Sequence, residues 1–100
     1  MTDKIYTVDE IRAIAAPLAQ RYGVKGLYLF GSYARGEADA QSDIDLRVDR
    51  GGMTDLLALG GLYSDLQERL DKPLDLLTDQ MLSRDFLSSI RREEVQLYAR

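Results

Sequence analysis

Gly31-Ser32-Tyr33-Ala34-Arg35-Gly36, followed by Ser42-Asp43-Ile44-Asp45-Leu46, is the stretch on which the fold turns. Just before it, Val24 to Phe30 is an apolar run that reads as a buried strand, which Gly31 ends and after which Ser32 begins a short helical turn. Just after it, Asp43 to Asp49 alternates strictly. Ile44, Leu46 and Val48 fall on one face, and Asp43, Asp45, Arg47 and Asp49 on the other. The chain therefore passes from a strand through a glycine turn into a second, half-polar strand. A glycine at such a turn lets the backbone approach a ligand closely, and amides at a helix start present donors to an anion.

Further out, Thr7-Val8-Asp9-Glu10 has the spacing of a capping box and opens a helical pattern through Ile11, Ile14, Ala15 and Leu18, running to about Tyr22 before Gly23. Pro17 lies inside that pattern and predicts a bend. Gly51-Gly52 breaks the second strand, and a helix is expected from about Thr54 to Leu70. Gly60-Gly61 within it implies a close packing contact or a local break. Lys72-Pro73-Leu74-Asp75-Leu76-Leu77 reads as a third short strand. The remainder, from about Asp79 to Tyr98, reads as one short and one longer helix with Phe86, Leu87, Ile90, Val95 and Leu97 as apolar anchors.

Residues 1–100 have the length of one domain. The element order predicts an α/β (α+β) layer, with helices on a small mixed sheet of about three strands. The link between the first two strands is short for a parallel crossover, so they are expected to be antiparallel. The helix of Thr54 to Leu70 can carry a crossover, which predicts a third strand parallel to the second.

Composition narrows the chemistry. The chain has no histidine and no cysteine, so imidazole bases, thiolate zinc sites and disulfides are excluded, and catalysis must draw on carboxylates, hydroxyls, Lys or Arg. Oxygen donors alone select a hard divalent ion such as magnesium or manganese. A net charge of −4 and a pI near 4.7 argue against a broad nucleic-acid footprint and fit a basic protein partner or a metal-bound nucleotide better. Met1-Thr2-Asp3-Lys4 carries charge where a secretory signal needs an apolar run. No segment reaches membrane-spanning length, so a cytoplasmic protein is expected.

The candidate site residues each have two readings. Asp43 and Asp45 belong to a charged, solvated strand face, or share a cation that offsets their repulsion. Ser32 is an N-cap or an anion donor, and these are compatible. Asp75, among leucines, is paired with Lys72 or an arginine, lies at a strand end open to water, or binds a metal. Arg35 reaches a phosphate or braces the carboxylates, or else pairs with Glu37 or Asp39. Tyr28, Tyr33 and Tyr63 are scattered, and no base-stacking pocket can be read from them.

Ten residues, Tyr33 to Ser42, separate Gly31-Ser32 from Asp43-Ile44-Asp45. This spacing resembles the G-S-x10-D-x-D signature of the polymerase-beta-like nucleotidyltransferase superfamily. Within it, the short chain and the wording around both motifs resemble the minimal nucleotidyltransferases that are paired with HEPN-domain toxins. The resemblance covers nearly the whole chain. It implies that Asp43 and Asp45 hold two magnesium ions on the triphosphate of ATP, that Asp75 holds one ion and helps deprotonate an attacking hydroxyl, and that Gly31 and Ser32 bind phosphate. It further implies transfer of AMP to a hydroxyl, most simply a tyrosine of a cognate HEPN toxin, so that the protein acts as the antitoxin. A non-catalytic antitoxin that acts by binding, and a nucleotidyltransferase for a small molecule, are the alternatives. Arg47 departs from the group, which often has an apolar residue there, and implies either an added phosphate contact or a neutralising neighbour.

Overall fold

Helix α1 (Val8–Tyr22) starts where the sequence places its cap: the Thr7 hydroxyl accepts from the Glu10 amide, and the Glu10 carboxylate accepts from the Thr7 amide. In this computed structural model, which describes residues 1–100, α1 continues through Pro17 to Gly23, which takes the left-handed conformation at φ 77°. The backbone hydrogen bond that Pro17 cannot donate is offset by burial of Ala15, Leu18 and Ala19 beside it.

The chain continues as β1 (Gly26–Phe30), a single turn of helix α2 (Gly31–Arg35), β2 (Ile44–Asp49), α3 (Leu56–Leu70) and β3 (Leu74–Thr78). As expected, β1 and β2 are antiparallel, and β3 runs parallel to β2. Gly61 supplies the close contact its sequence position implies. An added Cβ would stand 2.8 Å from the Tyr22 ring, so α3 approaches α1 as only a glycine allows, and the Tyr22 hydroxyl donates to Asp65 at 2.6 Å.

The end of the chain departs from expectation. A 3-10 turn (Asp79–Met81) and α4 (Arg84–Arg91) are followed not by more helix but by β4 (Val95–Ala99), antiparallel to β1. The sheet therefore has four strands, in the order β3-β2-β1-β4. Val95 and Leu97, taken as helix anchors, are strand residues. Val95 pairs with Leu29 on the open edge of β1, while Leu97, at the register shift between Gln96 and Tyr98, enters the core.

The two sheet faces divide by the two-residue period. Leu27, Leu29, Ile44, Leu46, Val48 and Leu74 join the buried cluster with Ile11 and Leu18 of α1 and Leu62, Leu66 and Leu70 of α3. Tyr28, Phe30, Asp45, Arg47 and Asp75 alternate with these and lie on the opposite face. There α4 reaches back, so that Phe86 meets Phe30 edge-on with ring centroids 6.4 Å apart. Lys72, only 2% exposed, fastens the rim of this layer, its ammonium donating to the Thr2 and Ala40 carbonyls at 3.2 Å each.

Candidate active site

Strand register brings the central carboxylates together. Asp45 is opposite Asp75 on the parallel ladder of β2 and β3, and opposite Phe30 on the antiparallel ladder of β1 and β2. Gly31, directly after Phe30, is thereby pressed onto Asp45. Its φ of 75° is the left-handed region that glycine adopts freely, and a Cβ there would collide with the Asp45 carboxylate. Gly31 is thus fixed twice over, by backbone conformation and by space.

Asp45 is half-buried, and its carboxyl is pushed up to about 6, first by burial, then by the facing Asp75 and the charge of Asp43, with Arg35 pulling in the opposite direction. Asp75 is not the buried charge its leucine neighbours suggest. β3 is the sheet edge, the side chain is exposed on the open face, and Lys72 is turned away to backbone carbonyls. Asp43 lies one residue before β2, exposed, near enough for its charge to act on Asp45. No group of three acidic, histidine or cysteine side chains is arranged as a metal cage. Asp45 and Asp75 are therefore brought together, while Asp43 stands at the edge of the pair. Two facing carboxylates are relieved either by a proton held between them, which is part of what raises Asp45, or by a hard divalent cation, to which oxygen donors such as these are suited.

The turn itself differs from the sequence-based expectation. α2 begins at Gly31, and the cap position is held by Phe30 rather than Ser32, with no side-chain bond. The Gly31 amide donates to Glu93 Oε1 at 3.1 Å. Arg35 donates from Nη1 to both Glu93 oxygens, at 3.3 and 3.2 Å, and from Nε to Glu37 Oε1 at 3.1 Å. The Arg35–Glu37 pair is one the sequence allows, whereas Glu93 is a partner it does not signal. Gly31 and Glu93 are 62 positions apart, and the sequence reading places Glu93 inside a helix running to about Tyr98.

Arg47 is not the neutralising neighbour of Asp43 and Asp45, since its partners are elsewhere. It is 4% exposed, and its guanidinium donates from Nε and Nη2 to the two Glu94 oxygens at 2.9 and 2.7 Å and from Nη1 to Asp79 at 2.9 Å. It also lies 4.3 Å over the ring of Tyr28, its cross-strand neighbour. The two carboxylates push its pKa further up, so it stays charged throughout. Arg47 clasps the 3-10 turn and the start of β4 onto the sheet.

A strand pair carrying facing carboxylates, with a glycine turn pressed against one of them, defines the nucleotidyltransferase class. The family described as Polymerase beta, Nucleotidyltransferase matches residues 12–100, and the chain belongs to it. The protein adenylyltransferase MntA of Thermococcus cleftensis is 34% identical over 93 residues, covering 89% of this chain and 94% of that one. A provisionally named protein adenylyltransferase of Methanocaldococcus jannaschii is 42% identical over 71 residues, 71% of this chain and 76% of the relative. Among solved structures, a toxin-antitoxin with AMP-PNP superposes with a TM-score of 0.70 at 28% identity, over 84% of this chain and 69% of that one.

Proposed function

We propose that this protein is a protein adenylyltransferase that acts as an antitoxin, moving AMP from ATP to a hydroxyl, taken to be a tyrosine, of a cognate HEPN toxin. The observation that carries this is the Asp45–Asp75 pair held against the Gly31 turn. The family membership, the adenylyltransferase relatives and the toxin-antitoxin neighbour with AMP-PNP support it.

In this reaction the acceptor oxygen forms a bond to the α-phosphorus, the bond from that phosphorus to its bridging oxygen breaks, and pyrophosphate leaves with the electron pair. The hydroxyl proton passes to Asp75, the more exposed carboxylate of the pair and therefore the one open to an incoming chain. Asp43, Asp45 and Asp75 would hold magnesium, which when bound offsets charge on the triphosphate oxygens. Gly31, Ser32 and Arg35 would bind the phosphates, the first two through backbone and hydroxyl donors and the third through its guanidinium. The acceptor comes on another protein.

Incubating the protein and its partner with ATP and magnesium, followed by intact mass measurement, tests the proposal. Addition of AMP mass to the partner, lost in Asp45→Asn, is the expected result. Protection from the toxin by the Asp43→Asn, Asp45→Asn double variant equal to that by wild type would instead establish an antitoxin that acts by binding alone.

A further inference from the structure

Two donors beside Asp45, the amide of Gly31 pressed against it and the guanidinium of Arg35 whose charge acts on it, are already engaged by an anion of the chain's own. Glu93, in the turn between α4 and β4, takes the Gly31 amide and the Arg35 guanidinium on a single carboxylate. A triphosphate oxygen placed against Asp45 would need those same donors. We propose that Glu93 is a placeholder for nucleotide phosphate: it pre-orders the Gly31 turn and Arg35 in the free protein and is displaced when ATP binds. The inference rests on the proposed phosphate-binding role of Gly31 and Arg35.

The local geometry favours displacement over a permanent brace. The Glu93 side chain is 31% exposed and Arg35 is 44% exposed, so water can take over the carboxylate as it leaves. Its neighbour Glu94 is the opposite case, 11% exposed and bonded through both oxygens to the nearly buried Arg47. Glu94 therefore anchors the backbone next to Glu93, at the start of β4, while the Glu93 side chain swings. The exchange is also balanced in kind, since a carboxylate and a phosphate oxygen both accept from an amide and a guanidinium.

The test is ATP binding by the full chain with magnesium, followed by initial-rate kinetics with the partner. Glu93→Gln keeps an oxygen for the Gly31 amide but loses the charge that competes for Arg35. Its ATP dissociation constant should fall by about 2- to 5-fold, the range that one partly exposed ion pair can supply. KM for ATP should fall by the same factor with kcat unchanged, a split that a merely structural loss would not give. In an Arg35→Ala background the substitution should have no effect on affinity, because the competition is for that guanidinium. Glu93→Asp, shorter by one methylene and still charged, gives a second reading in case Glu93→Gln fails to fold, and should also tighten binding because its reach to Arg35 is reduced. Weaker or unchanged binding in both Glu93 variants overturns the placeholder. Absence of ATP binding by wild type overturns instead the phosphate-binding site itself.

Discussion

The open face of the sheet carries two clusters of arginine and carboxylate built from the same residue types, and they behave oppositely. Around Arg47 the charges match: the guanidiniums of Arg47 and Arg91 meet the carboxylates of Glu94 and Asp79, and the Tyr28 ring closes over the nearly buried Arg47. Around Asp45 they do not, since Asp45, Asp75 and the nearby Asp43 face one another while Arg35 is drawn off to Glu93 and Glu37. A matched cluster is a fastener. An unmatched one is, on the proposed function, the place for a cation and a phosphate, and the fold keeps it in place by strand register rather than by attraction among its members.

The largest effect should come from removing the unmatched charge where it matters to the reaction. Asp45→Asn should lower AMP transfer on the order of 10²–10³-fold or more, as loss of a principal electrostatic group does. Wild type should gain melting temperature on adding magnesium and Asp45→Asn should not, because only the folded pair offers the cation facing oxygens. A variant that keeps its magnesium-dependent rise would place the cation elsewhere than on Asp45.

Next in size is the fastener. Arg47→Met leaves Glu94 almost enclosed without its cation and frees Asp79, at an expected cost of about 2–4 kcal/mol in denaturant unfolding. The loss should fall chiefly on the docking of α4 and β4. Limited proteolysis between Thr78 and Val95 should therefore quicken in this variant, whereas wild-type resistance there would show that the sheet pairing of β4 suffices without the clasp.

The pH dependence of stability separates the clusters further. The Asp45 carboxyl is raised in the folded protein to about 6 from an unfolded value of about 4, so the folded state binds the extra proton between those values. Stability due to this group is thus greatest below pH about 4, falls as pH rises toward 6, and stays low above it. Allowing for solvent around a half-exposed side chain, the difference should be about 1–2 kcal/mol. Asp45→Asn should gain that amount at pH 7 relative to wild type and little at pH 4. Equal gains at both values would show that relief of charge is not the cause. Arg47, charged throughout, adds no slope of its own.

These contrasts explain which parts were legible in sequence. The Gly31 turn and the Asp45 strand could be read because their constraints are local: a spacing, an alternation, and a connection too short for a crossover. The parallel placement of β3, which sets Asp75 beside Asp45, followed from the length of α3. The fourth strand did not follow, because five residues from Val95 to Ala99 beside a charged helix carry no decisive period, and what makes them a strand is the edge of β1 far earlier in the chain. Glu93 and Glu94 were hidden for the same reason. In sequence they are twin glutamates in one turn, and only their distant partners, Gly31 with Arg35 for one and Arg47 for the other, give them different roles. Of the readings the sequence leaves open for Asp75, exposure to water is the one the structure gives, because β3 lies at the sheet edge and the leucines beside Asp75 do not signal that.

The smallest effect on stability should come from the exposed arginine. Arg35→Ala breaks contacts to Glu93 and Glu37 that water replaces readily, so unfolding free energy should change by less than about 1 kcal/mol. Its effect on ATP binding should be larger than its effect on stability, the reverse of what Arg47→Met should show. If both arginines moved stability and nucleotide binding in the same proportion, the division into a fastener and an open site would collapse. The measurement that decides it is a pair of ratios from each variant, the change in ATP dissociation constant against the change in denaturation midpoint. A high ratio for Arg35 and a low one for Arg47 means that two similar residues on one sheet face are separated in role by burial and charge balance alone.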